Sequence, residues 1–331
     1  MSFALPSLSG SPVGAALPPV DGQALALEFL NYAFMQRALI AALVIGVTAP
    51  VVGIYLVQRR QALMGDGIGH VALTGVALGF LFNTSPVWMA VLVSAIGAVG
   101  MELLRLSGKA RGDIALAMLF YGGMAGGVMI INLAPGGSTA GLTSYLWGSV
   151  TTVSASDITA IVILAAFVLL VGLGLRRQLF SVCQDEEFAR VTGLPVRALN
   201  LLLAVTAAAT VTVAMRVVGL LLVSALMVIP VVAAQQATRS YAGTLAAACG
   251  FGVLVSVSGT VASYYADVPP GATIVLIALG LFALAAALTR PIARRRARRA
   301  ELPVPPPGTP VGERATVPAP ADPDRSSVPS R

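Results

Sequence analysis

The sequence predicts an all-α, polytopic membrane protein with about eight to nine transmembrane helices and one short re-entrant helix. Three observations predict it. Hydrophobic residues make up 57% of the 331 positions and charged residues only 11%, against the roughly 25% charged of a soluble domain. Mean hydropathy is +0.87, and apolar runs of about 20 residues, the length of a bilayer span, recur along most of the chain. Basic residues then gather in alternate loops, as they do when those loops share one side of a membrane.

Residues 1–33 read as a weakly ordered lead-in containing Pro and Gly. The first basic residue is Arg37, so the start lacks the charged segment of a secretory signal. A transmembrane domain is expected over 34–291. Its first four spans read as 34–57, 68–82, 87–104 and 114–133. Leu142 to Ser156, "LTSYLWGSVTTVSAS", is too short and too polar to cross and reads as re-entrant or interfacial. Further spans follow at 158–175, 198–215, 217–237, 241–264 and 272–288. Residues 292–331, basic and then Pro-rich, read as a disordered cytoplasmic tail.

Arg59, Arg60, Arg105, Lys109, Arg111, Arg176, Arg177, Arg190, Arg197, Arg239 and the cluster from Arg294 to Arg299 all fall on one face if the N-terminus is outside. The opposite loops, 83–86, 134–141 and 266–271, hold no Lys or Arg. The arginine face is therefore expected in the cytoplasm, in the plasma membrane, with Arg37 and Arg216 the two exceptions. The same placement explains the net charge of +7 without nucleic acid: no soluble fold remains to present a basic face. Cys183 and Cys249 are too few for a thiolate metal site or a disulfide framework.

Two stretches carry chemistry. In "MGDGIGHVALTGVALG", Asp66 and His70, the only histidine, stand four residues apart on a helix, on one face and about 5–6 Å apart at Cβ. A single divalent ion can touch both, although a structural Asp–His pair at a helix start fits the spacing equally well. Ionisable groups at membrane depth are costly and mark function. Two ligands do not close a site; two copies across a two-fold axis supply two oxygens and two nitrogens, suited to zinc and tolerant of manganese. The second stretch is "SVCQDEEFARVTGLPVRALN". Asp185, Glu186 and Glu187 precede Phe188, Ala189 and Arg190, with Gly193 and Pro195 after them. It reads as a short helix with an acidic N-terminus, ended at Gly193. Such a helix is either a solvated connector or a docking element with Phe188 as its anchor.

These stretches, together with "LTSYLWGSV", "VVGLLLVSALMVIPVVAA" and "YYADVPPGATIVL", resemble the ABC-3 group of bacterial metal-importer permeases from about Met35 to Ala287. The resemblance implies a homodimeric permease served by a separate cytoplasmic ABC ATPase and by an extracytoplasmic metal-binding protein. It places Asp66 and His70 as metal ligands. It places Asp185, Glu187, Phe188, Ala189 and Gly193 on the helix that meets the ATPase. Zinc is the favoured cargo, with manganese or iron as alternatives, and no intrinsic cofactor is expected. The chain holds no G-x-x-x-x-G-K-[ST] phosphate loop, so it is read as a transport subunit and not an enzyme. A proton-coupled carrier is the competing reading, and an acidic docking loop argues against it.

Overall fold

The computed structural model describes residues 32–108, 112–134, 139–149, 151 and 153–300. Residues 1–31 of the lead-in and the tail beyond Ala300 lie outside the described residues, while Ala33, the last residue of the expected lead-in, already begins α1. Among those described there are helices and no strands. We label them α1 (Ala33–Gln58), α2 (Met64–Leu81), α3 (Pro86–Leu106), α4 (Gly112–Leu133), α5 (Thr139–Trp147) and α6 (Ala155–Gly174). There follow α7 (Arg176–Gln184), α8 (Glu186–Val191), α9 (Val196–Met215), a 3-10 turn (Leu220–Leu222), α10 (Val223–Ala237), α11 (Tyr241–Ala266) and α12 (Pro270–Ala300). Eight helices, α1, α2, α3, α4, α6, α9, α11 and α12, are long and apolar enough to span a bilayer.

Chain contacts divide the protein into Met1–Ala286 and a second unit, Ala287–Arg331. The second unit holds the C-terminal part of α12. The helix runs through Ala300, so the sequence boundary at 291/292 falls inside it; residues 293–300 are all Ala or Arg, both strong helix formers.

Within the first unit, α1 and α2 are 72% buried and α9 is 78% buried, whereas α4 and α12 are 22% buried. Three helices thus form the interior, and the others turn apolar side chains such as Leu92, Ile96, Leu170 and Leu276 outward, as a lipid-facing surface does. Small residues let the interior helices close up. A β-carbon at Gly75 would sit 2.6 Å from the Ala90 Cα on α3, and one at Gly123 would sit 2.6 Å from the Val71 amide nitrogen. Gly75 and Gly123 are therefore used for packing inside the chain.

One expected span is different. Residues 217–237 do not form a continuous helix: the backbone turns at Gly219 (φ +87°, ψ 149°), passes through the 3-10 turn, and only then enters α10. The cause is α5. Gly148, also at positive φ, meets Gly219 backbone to backbone, and a β-carbon on Gly219 would lie 2.5 Å from the Gly148 nitrogen. Non-helical backbone is tolerated at membrane depth when it is packed in protein like this. The 15 residues of α10 and the 3 of the 3-10 turn still reach about 28 Å, close to the ~30 Å hydrocarbon core.

The same region explains Arg216, an exception to the charge pattern. Its Nη2 donates to Asp157 Oδ2 at 2.8 Å and its guanidinium lies 4.8 Å from the centre of the Tyr145 ring. Asp157 is in turn held by a capping box with Ser154 at the start of α6. Arg216 is a paired residue of the packing, not a free charge that sets orientation.

Candidate functional site

The first turn of α2 carries Asp66, half-buried. It is reached through a tight connection after α1: Arg60 sits at φ +57°, and the Gln61 amide donates to the Leu56 carbonyl at 2.8 Å. Ser224, at the start of α10, donates its hydroxyl to Asp66 Oδ1 at 2.6 Å. The break before α10 is what starts that helix beside Asp66. A pocket of roughly 310 Å3 opens there, lined by Leu63, Asp66, Leu116, Ala117, Phe120 and Tyr121.

His70 lies one turn deeper, 7% exposed, with its ring edge-on to Phe120 at 4.3 Å. Its buried Nδ1 makes no hydrogen bond, an imidazole nitrogen with its coordinating capacity unspent. Thr74 donates to the Gly123 carbonyl at 2.6 Å, which fixes α4, and with it Phe120, over this face of α2. Among the described residues no group of three or more His, Cys, Asp or Glu side chains converges. One chain therefore offers Asp66, His70 and the Ser224 hydroxyl. The sequence reading missed Ser224; a serine in an apolar stretch carries no signal until its partner is known.

The predicted docking helix is α8, set between the end of α7 and the start of α9. Asp185 caps α8, accepting from the Phe188 amide at 2.9 Å. Ala189 is fully buried and packs among Leu179, Val182, Val196 and Leu199. Phe188 and Val191, 62% and 87% exposed, point away from the body, and Glu187 is exposed. Gly193 (φ +82°) ends the helix, and the Leu194 amide donates to the Ala189 carbonyl at 3.1 Å. A left-handed glycine closing a helix this way is common. The structure thus gathers Asp185, Phe188, Ala189 and Gly193 into one capped helix with an apolar outer edge.

Glu186, read in the sequence only as part of the helix's acidic start, faces inward. It lies 3.7 Å from Arg59, 4.0 Å from Arg105 and 3.1 Å from Arg190. Asn200, itself buried, presents its amide to the same carboxylate at 3.5 Å. Arg105 is also gripped in two-pronged fashion by the buried Glu102, at 2.6 and 2.9 Å. Burial pushes the Arg59 guanidinium below the ordinary arginine range and Arg105 adds to the shift, while Glu102 and Glu186 oppose it. The ends of α1 and α3 and the short α8 thus meet at one end of the molecule, and Arg216, Asp157, Tyr145 and the paired glycines gather around α5.

Residues 31–289 match the ABC 3 transport family. The chain belongs to that family. A "Probable metal transport system membrane protein" of Treponema pallidum is 36% identical over 263 residues, spanning 79% of this chain and 97% of that protein. A "Manganese transport system membrane protein MntC" of Halalkalibacterium halodurans is 33% identical, spanning 78% of this chain and 88% of its own. The solved structure "PsaBC from Streptococcus pneumoniae in complex with Fab" superposes with a TM-score of 0.71 at 29% identity, over 78% of this chain and 94% of that one. The chain is the multi-pass permease subunit of an ABC metal importer and is not itself an enzyme.

Proposed function

We propose that two copies of this permease bring Asp66 and His70 together across a two-fold axis and pass a divalent transition-metal ion between them into the cytoplasm. The observation that carries this reading is the pairing of a half-buried carboxylate with a buried, unpartnered imidazole on one face of an inner helix, beside a pocket. Each copy supplies two strong ligands, short of what a divalent transition ion takes. A second copy completes the set. An incomplete shell per chain also suits a carrier, which has to release its cargo.

Manganese and zinc divide on different observations. Zinc is favoured by the four-ligand, tetrahedral count that two Asp–His pairs provide. Manganese is favoured by the name of the Halalkalibacterium relative, and by the Ser224 hydroxyl, which makes the surroundings richer in hard oxygen. We place manganese first. Cells lacking the permease, starved of one metal at a time and then complemented, decide it. Manganese accumulation is expected to fall at least tenfold without the chain and to return with it, while zinc stays constant. A fall in zinc alone reverses the order, and no change in any divalent metal refutes the reading.

Energy comes from a cytoplasmic ATPase seated on α8, with Phe188 and Val191 as its apolar contact, and cargo comes from an extracytoplasmic metal-binding protein. Both require the arginine-rich end to be cytoplasmic, the N-terminus outside and the C-terminus inside. A cysteine introduced at Gln178 is therefore expected to be shielded from an impermeant maleimide in intact cells, and one at Thr84 to be labelled. The reverse pattern would overturn the orientation and the ATPase contact with it.

A further inference from the structure

Glu186 belongs to the short docking helix, yet it is the one residue of α8 whose charge is spent inside the protein. Its carboxylate meets Arg59, which follows α1, and Arg105, at the end of α3. Arg59 is deeply placed, its side chain 7% exposed, and Glu102 beside it is 2% exposed. Three arginines, Arg59, Arg105 and Arg190, converge on two carboxylates, Glu102 and Glu186. Glu102, held by Arg105 in two-pronged geometry, also offsets the Arg59 charge, but the carboxylate that reaches Arg59 as an ion pair, at 3.7 Å, is Glu186. Without it, only Glu102 offsets the repulsion between Arg59 and Arg105 across the junction where α1, α3 and α8 meet. Partly buried charges of this kind resist the loss of a partner far more than exposed pairs do.

What lies beyond Arg59 gives the junction its meaning. The connection to α2 is short and internally hydrogen-bonded: the Arg59 amide to the Tyr55 carbonyl at 3.0 Å, Gln61 to Leu56 at 2.8 Å, and Met64 to Gln61 at 3.0 Å. It leads into the first turn of α2, which carries Asp66. A displacement of α8 that moves Glu186 therefore acts on Arg59 and, through a stiff turn, on the helix holding the metal ligands.

We propose that Glu186 is a positioning residue for transport: it fastens α8 to the ends of α1 and α3, so that movement of the docking helix reaches Asp66. The proposal rests on the reading of α8 as the ATPase contact. It assigns different work to adjacent residues, with Phe188 holding the partner and Glu186 passing the movement inward.

The test uses the permease co-expressed with its ATPase and reconstituted in vesicles, with the extracytoplasmic metal-binding protein added and manganese and zinc each supplied to it as radioactive ions. Glu186→Gln removes the charge and keeps the size. Co-purified ATPase is expected to stay within twofold of wild type, while metal ions taken up per ATP hydrolysed fall at least tenfold. Glu186→Asp keeps the charge but draws it back from Arg59 and Arg105; it is expected to lose about threefold, and it serves as the readout if the glutamine variant does not insert. Unchanged uptake per ATP in either inserted variant overturns the proposal. A role in folding alone would lower the amount of inserted permease and leave that ratio where it was. Phe188→Ala is run alongside: if it leaves ATPase association intact, the reading of α8 itself fails, an outcome separate from the failure of Glu186.

Discussion

His70→Ala is expected to lower metal uptake per inserted permease by about a hundredfold or more. Losing even an outer-shell partner of a metal ligand typically costs 10–100-fold in affinity, and here a ligand itself is removed from a chain that offers only two strong ones. Asp66→Asn separates charge from shape. The amide oxygen can still accept the Ser224 hydroxyl now 2.6 Å from Oδ1, so the local structure is kept while the charge that offsets the ion's dehydration is gone; uptake is expected to fall comparably. Ser224→Ala leaves both ligands and frees the Asp66 side chain, so a smaller loss, several-fold, is expected. A purely structural role for His70 forecasts something else. Its edge-on contact with Phe120 at 4.3 Å is worth about 0.5–1.5 kcal/mol, enough to reduce folded protein without changing each molecule's transport. Uptake of manganese and zinc normalised to surface-labelled permease separates the two. Normal uptake per molecule in His70→Ala removes the histidine from the ion's path.

What the sequence conveys about this site follows from rarity. A lone histidine one helical turn from an aspartate, in an otherwise apolar run, is visible because nothing in hydrocarbon places such groups there without cause. The docking helix is visible for a similar reason: Asp185 as cap and Gly193 as terminator are local signals that need no knowledge of the fold. Ser224 and Glu186 are not visible. Serine is common in apolar helices, and Glu186 differs from Glu187 only by about 100° of helical rotation, a difference that matters once Arg59 and Arg105 stand on one side. Both become meaningful only through partners far away in sequence. The spans show the same division. Hydropathy finds the eight long helices, but it averages over windows and so runs smoothly across Gly219, where the backbone breaks because α5 presses against it.

That contact leads to the second large effect. Gly219→Ala is expected to reduce inserted permease at least tenfold and to lower the melting temperature of the remainder. At φ +87° and ψ 149°, Gly219 occupies a region open essentially to glycine alone, where a side chain costs on the order of 1–3 kcal/mol in strain. Packing adds to this. The new methyl would lie 2.5 Å from the Gly148 nitrogen and 2.6 Å from the Leu146 carbonyl oxygen, and backbone atoms cannot yield by changing rotamer. Relief requires α5 to lift, which withdraws Tyr145 from Arg216 and loosens a guanidinium whose charge is balanced by Asp157 at 2.8 Å. A total above about 3 kcal/mol is a large share of the 5–15 kcal/mol that stabilises an ordinary domain. Gly250→Ala is the control, since a β-carbon there meets nothing within 4 Å and an alanine suits the helix. Yield and melting measured in detergent for both variants compare the two positions directly. Wild-type behaviour in Gly219→Ala would mean that α5 and the chain leading into α10 do not meet backbone to backbone, and that the placement of Ser224 against Asp66 has some other origin.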